Sequence, residues 1–214
     1  TRTFDARGNM QTQALPFGTT LTFNHDAVGR LLSRTGSDGS SLTFTYGPSN
    51  RLETASDETG LTAHVYDSVG RHTSIVHPTG AHVSMGYDAL DELTSLSARA
   101  TPTSTVRGTT YVYDGAHRIT EVHDPLGGTT TMTYDDDSRL TGRTLPNGIH
   151  TTWTYNARGW VMSVVHERAD DTVIASSTYL RSPTGEPTRI TREDGTYVLL
   201  DYDSALRIHR EAYR

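Results

Sequence analysis

The stretch TMTYDDDSRLTGRTLPNG, residues 131–148, decides how the rest of the chain is read. Its three consecutive aspartates suggest an acidic site until the neighbouring sequence is aligned with it. HDAVGRL (25–31), YGPSNRL (46–52), YDSVGRH (66–72), YDALDEL (87–93), YDGAHRI (113–119), YDDDSRL (134–140), YNARGWV (155–161) and YDSALRI (202–208) follow one pattern. Looser copies occur at FDARGNM (4–10) and RSPTGEP (181–187). The first residues of the ten copies are 4, 25, 46, 66, 87, 113, 134, 155, 181 and 202, giving steps of 20 or 21 residues and two of 26. A fixed period of this length marks a repeat architecture and takes precedence over local readings. The two longer steps place about five extra residues in SARATPTSTVRG (97–108) and ERADDTVIASS (167–177).

Asp135 therefore stands where Asp5, Asp26, Asp67, Asp88, Asp114 and Asp203 stand in other copies, with Asn156 in one more. Asp136 and Asp137 fall at variable positions. Adjacent residues of extended chain point to opposite faces, so the triplet does not form a convergent metal site.

Within one repeat, the residue two before the anchor is mostly large and apolar: Phe23, Phe44, His64, Met85, Tyr111, Met132, Trp153, Tyr179 and Leu200. With the anchor Tyr it occupies one face of a strand. Six residues after the anchor come Met10, Leu31, Leu52, Leu93, Ile119, Leu140, Val161 and Ile208, which open a second strand on that face. Between the strands, the fourth place after the anchor holds Gly8, Gly29, Gly70, Gly159 and Gly185, or Asn50, Asp91, His117, Ser138 and Leu206. Gly, Asn and Asp tolerate positive φ, and a carboxylate at the start of a turn accepts backbone N–H groups, so this segment is a hairpin turn. A second glycine recurs fourteen places after the anchor, at Gly18, Gly39, Gly60, Gly80, Gly127, Gly148 and Gly195, in turn contexts such as SDG and PNG. The arginines at the fifth place, Arg30, Arg51, Arg71, Arg118, Arg139 and Arg207, are expected to lie over a neighbouring Tyr ring or to pair with a neighbouring Asp.

The expected architecture is all-β: tandem hairpin repeats of ~21 residues forming a continuous antiparallel sheet that curls into a spiral or shell segment, because long open sheets twist and curl. Residues 1–214 read as a single array of about ten repeats belonging to a larger protein. A β-propeller, whose four-stranded blade would take two repeats, would require odd and even copies to alternate, and they do not.

Composition agrees. Of the 214 residues only 34% are hydrophobic, while glycine (19) and threonine (36) are abundant, which favours strands and turns over helices. A net charge of -6, with all 19 basic residues arginine, excludes the basic footprint of a nucleic-acid binder. The absence of cysteine excludes disulfide and thiol chemistry. No apolar run reaches membrane-span length, and the first residues carry no signal-peptide core.

The Y-D-x-x-G-R-L turn at this period resembles the RHS repeat, also called the YD repeat, over essentially the whole chain. The motif is carried by Tyr66, Asp67, Gly70, Arg71, Tyr87, Asp88, Tyr113, Asp114, Arg118, Tyr134, Asp135, Arg139, Tyr155, Gly159, Tyr202, Asp203 and Arg207. The resemblance implies a strip of sheet that spirals into a hollow shell, as in bacterial polymorphic toxins, toxin-complex components, wall-associated proteins and teneurins. It implies a secreted or cell-surface location and a structural role in encapsulating or displaying a toxin or effector. Partners would be flanking repeats, further copies joined through open sheet edges, or an enclosed toxin segment. Bacterial shells of this kind often carry a D-P-x-G-x-x-D-G self-cleaving segment. DPLGGTTTMTYD (124–135) begins similarly, but Thr130 and Thr131 stand where the second D-G would be, so Asp124-Pro125 reads as an inter-strand turn.

No enzyme activity and no cofactor are expected, since Ser, His and Asp recur with the repeat and no unique triad stands out. Among metal candidates, His72, His77 and His82 lie closest in sequence, but no acid or Cys completes a set of three or four ligands, and they read as strand histidines. The alternative function is a carbohydrate-binding or adhesion module at a cell surface, with Trp153 and Trp160 as the glycan candidates.

Overall fold

The computed structural model describes all residues from Thr1 to Arg214 and contains only strands and turns. It divides into two units, Thr1–Gly108 and Thr109–Arg214, and the division falls at the end of the first inserted segment. The first ten strands are β1 (Arg2–Phe4), β2 (Met10–Ala14), β3 (Thr20–His25), β4 (Leu31–Gly36), β5 (Ser41–Tyr46), β6 (Leu52–Asp57), β7 (Gly60–Tyr66), β8 (His72–Val76), β9 (His82–Tyr87) and β10 (Leu93–Arg99). The other ten are β11 (Arg107–Tyr113), β12 (Ile119–His123), β13 (Thr129–Tyr134), β14 (Leu140–Thr144), β15 (His150–Tyr155), β16 (Val161–Glu167), β17 (Val173–Arg181), β18 (Pro187–Arg192), β19 (Tyr197–Tyr202) and β20 (Ile208–Tyr213).

Within each unit every strand pairs antiparallel with its neighbours in the chain, from β1 with β2 through β9 with β10, and from β11 with β12 through β19 with β20. The repeat fixes the register. Each anchor faces the residue six places on: Phe4 faces Met10, Tyr46 Leu52, Tyr113 Ile119, Tyr155 Val161 and Tyr202 Ile208, each beside a bulge.

The bulge follows from the turn. In the copy at 25–31, the Gly29 N–H donates to the Asp26 carbonyl at 3.1 Å and the Asp26 N–H donates to the Arg30 carbonyl at 3.0 Å. Gly29 takes φ +87, so one extra residue is absorbed in the left-handed region, the geometry of a glycine bulge. Where glycine is absent, Asn50, Asp91, His117, Ser138 and Leu206 adopt φ of 59 to 68 instead. The second turn of most repeats repeats this wiring; the Leu145 and Ile149 backbones close around Gly148 at φ +82, for example.

Side chains alternate across each strand. In β5, Leu42, Phe44 and Tyr46 are half-buried while Thr43 and Thr45 are exposed. The Thr45 and Thr54 hydroxyls meet at 2.6 Å across the β5–β6 pair, and Thr154 and Ser163 do the same across β15–β16. Threonine thus supplies a β-branched side chain and a cross-strand hydrogen bond at once. Very little is fully buried: Val198 and Leu200 are the buried apolar residues and Thr151 the buried polar one. The apolar face is therefore covered mainly by its own neighbours along the sheet.

Candidate functional site: the ladder between repeats

The side chains of the repeat motif gather at its turn and build a contact to the next copy. Asp114 shows the local half. Its Oδ1 accepts the N–H groups of Ala116 at 2.9 Å and Arg118 at 3.1 Å, while Oδ2 receives Arg118 Nε at 2.8 Å. The carboxylate thus satisfies backbone donors that the turn leaves free and fixes the guanidinium. Asp67 holds Arg71, Asp135 holds Arg139 and Asp203 holds Arg207 in the same way, at 2.7, 2.7 and 2.8 Å.

The other end of the guanidinium reaches the following repeat. Arg118 Nη1 donates to the Asp135 carbonyl at 3.0 Å and to Ser138 Oγ at 3.2 Å, and the guanidinium lies 4.7 Å from the Tyr134 ring centroid. Tyr134 closes the circuit by donating its hydroxyl to the Ile119 carbonyl at 2.8 Å. Arg71 spans to the Asp88 carbonyl, Asp91 and the Tyr87 ring, with the Tyr87 hydroxyl returning to the His72 carbonyl at 3.0 Å. Arg139 lies over Tyr155, whose hydroxyl bonds the Leu140 carbonyl at 2.8 Å, and Tyr202 bonds the Pro187 carbonyl at 2.9 Å. Arginine thus makes both contacts expected of it, to the Asp of its own turn and to the Tyr of the next. Arg51, whose turn has Gly47 in place of Asp, sits over Tyr66 at 5.8 Å and occupies the space a Cβ on Gly70 would need.

Electrostatics follow these contacts. The Arg71 guanidinium holds the Asp67 carboxyl below its ordinary range, and Arg118 does the same for Asp114. For Asp135 partial burial pulls upward and is outweighed by hydrogen bonds from Arg139. At Asp88, where Glu92 replaces the arginine, the Glu92 N–H is the main cause of the lowering.

One rung is built differently. Trp160 stands in the arginine position of its repeat, beside Asn156, whose Oδ1 accepts the N–H groups of Arg158 and Trp160 at 2.9 and 3.1 Å. The next anchor is Arg181 rather than Tyr. Its Nε donates to the Val161 carbonyl at 2.9 Å, the carbonyl equivalent to the one a tyrosine hydroxyl takes elsewhere, and Nη1 donates to the Gly185 carbonyl at 2.7 Å. The aromatic ring and the guanidinium have exchanged repeats. A Cβ on Gly185 would lie 2.8 Å from Trp160 Cζ2, so the indole packs closely against that turn. In sequence, this exchange is visible only as two imperfect copies of the motif.

Both glycan candidates are engaged within the sheet. Trp153 lies under Arg143 at 5.9 Å, and Trp160 lies under Arg158 at 5.1 Å while lining a cleft of about 510 Å³ with Met162 and Pro183. His72, His77 and His82 do not converge. His82 bonds Ser74 at 2.7 Å on one face, while His72 turns to His64 at 3.2 Å on the other. Asp124 accepts the N–H groups of Leu126 and Gly128, so the DPLGG segment is an ordinary turn.

Comparison with known proteins places this geometry. None of the curated proteins matches the chain. Among solved structures, the crystal structure of TcdB2-TccC3 matches with a TM-score of 0.61 at 12% identity, over 99% of this chain and 16% of that one. The same protein without its hypervariable C-terminal region matches with a TM-score of 0.53 at 14% identity, over 99% of this chain and 15% of that one. The chain thus shares their fold and spans less than a fifth of their length. The family model for the RHS repeat matches residues 4–40, 25–62, 96–130 and 134–172. With that match covering more than half of its length and the same turn chemistry joining its copies, the chain belongs to the RHS repeat family.

Proposed function

We propose that the chain is a structural wall segment of a hollow β-shell that encapsulates or displays a toxin or effector in a bacterial secreted or surface protein. The observation that carries this reading is the ladder itself. The recurring side chains of each repeat are spent within the array, Asp on the Arg of its own turn and Arg on the Tyr of the next, as in Asp114 with Arg118 and Arg118 with Tyr134. A segment whose recurring polar groups bind one another extends a wall. The similarity of fold to TcdB2-TccC3 supports it. Flanking repeats of the parent protein would continue the sheet, and the ten copies would act as one array. The family resemblance supports the secreted or surface location.

Electron cryo-microscopy of the full parent protein tests the reading. Residues 1–214 are expected in the wall of an enclosed cavity, and their placement in a solvent-exposed arm outside any cavity would overturn it. The alternative, glycan binding through Trp153 and Trp160, predicts saturable binding on a glycan array that Trp160→Ala abolishes. The arginines already lying over both indoles argue for the wall.

A further inference from the structure

One repeat departs from the apolar pattern at two positions that meet in space. Two places before the anchor, where Phe23 and Phe44 stand in earlier copies, this repeat has His64; six places after it, where Leu31 and Leu52 stand, it has His72. The β7–β8 register pairs Tyr66 with His72 and His64 with Ile75, so both imidazoles lie on the apolar face. Their rings stack with centroids 5.2 Å apart at 28°, the Tyr66 ring stacks on His72 at 4.9 Å, and His64 Nδ1 lies 3.2 Å from His72 Nε2. Three other histidines meet carboxylates or hydroxyls instead: His150 with Glu167 at 2.9 Å, His123 with Glu121 at 3.1 Å, His166 with Thr151 at 2.9 Å.

A nitrogen–nitrogen span of 3.2 Å is also the bite of two imidazoles on one metal ion, since bonds of 2.0–2.1 Å at a tetrahedral angle put the two donors about 3.3 Å apart. His64 opens onto a cleft of about 480 Å³ that Arg51, Glu53, Tyr66 and Asp67 also line. Water has access to it, and two carboxylates there offset one guanidinium. We propose that His64 and His72 form a two-imidazole site for a first-row divalent ion of the zinc and copper class, completed by water and with the Glu53 carboxylate in the same cleft.

Imidazole suits these metals, and both rings must present a lone pair. In the metal-free pair one ring donates a proton to the other. Binding places the proton of His64 on Nε2 and that of His72 on Nδ1, with no net proton released when both rings are neutral. The pairing differs from the sequence-adjacent trio: His82 lies on the opposite face, hydrogen-bonded to Ser74.

The repeat supplies its own test variants. His64→Phe and His72→Leu install residues that other copies carry at these positions, so the fold is retained and circular dichroism verifies it. The chain would be titrated with Zn²⁺, and separately with Cu²⁺, against a chromophoric competitor. One equivalent is expected to bind, each single variant weakening it at least about 10-fold as loss of a coordinating group requires, with His82→Ala within about twofold of the original chain. Thermal stability should rise with metal in the original chain and remain unchanged in the double variant. Equal affinity of the original chain and the His64→Phe/His72→Leu variant, or loss of binding in His82→Ala, would overturn the proposal.

Discussion

The rung joining Arg118 to Tyr134 and the rung joining Trp160 to Arg181 perform the same task with their parts exchanged. In the first, the earlier repeat offers a guanidinium and the later one an aromatic ring with a hydroxyl donor. In the second, the earlier repeat offers the ring, and the later one supplies the guanidinium as donor to the same carbonyl position. The comparison teaches that each rung requires one aromatic ring between the two repeats and one donor from the later repeat to the carbonyl six places after the earlier anchor. It does not require those groups from particular residues.

The exchange can be broken most directly at its largest side chain. Trp160→Ala removes an indole packed on the Gly185 turn, and a loss of about 2–3 kcal/mol in urea denaturation is expected. Arg118→Ala should cost less, about 1 kcal/mol, since a partly exposed guanidinium stacked on Tyr134 is worth less than a packed indole. An equal loss at both sites would mean that the rungs are not built on different physics. Restoring the usual order sharpens the point: Trp160→Arg with Arg181→Tyr should recover much of what either change alone loses, a coupling read from a double-mutant cycle.

Next in size, Leu206→Gly should stabilise the last copy by about 1 kcal/mol. Leu206 holds φ 59, a conformation disfavoured by a Cβ, whereas Gly185→Ala at φ 110 should destabilise because its Cβ meets Trp160. Tyr134→Phe deletes only the hydroxyl bond to Ile119 and should cost about 1 kcal/mol.

The smallest effect is the most selective. Asp67, Asp114 and Asp135 have carboxyls lowered in the folded chain. Their contribution is therefore complete above the unfolded value of about 4 and is lost as pH falls through the lower folded value. The rung at Asn156 has an amide in that position and does not titrate. Amide exchange compared at neutral and strongly acidic pH should show protection falling around Arg71, Arg118 and Arg139 while the turn at Asn156–Trp160 changes least. Uniform loss would remove the distinction.

Much of this was legible in the sequence. The period located the strands, and the residue at the fourth place named the left-handed positions, including Asn50, Asp91, His117, Ser138 and Leu206, all at positive φ. A turn is a local property, so its residues report it directly. Asp171, also at positive φ, has no counterpart in the motif because the five-residue insertion moves it out of phase. The exchange of Trp160 and Arg181 was equally hidden: alignment compares identities at one position, whereas the compensation lies between two positions in different repeats. The meeting of His64 with His72 needed the bulged register, which sets the two rings side by side. The division after Gly108 had its only trace in the first long step.

The tyrosine hydroxyl that reaches back one repeat has a kinetic consequence. Tyr46 bonds the Leu31 carbonyl and Tyr134 the Ile119 carbonyl, each fifteen residues earlier in the chain. Every such closure is short and involves only the preceding copy, so ordering can advance by zippering, each completed hairpin serving as the template for the next. A polypeptide emerging from the ribosome could lay down its repeats in the order of synthesis, with a partly made chain already ordered behind its growing end.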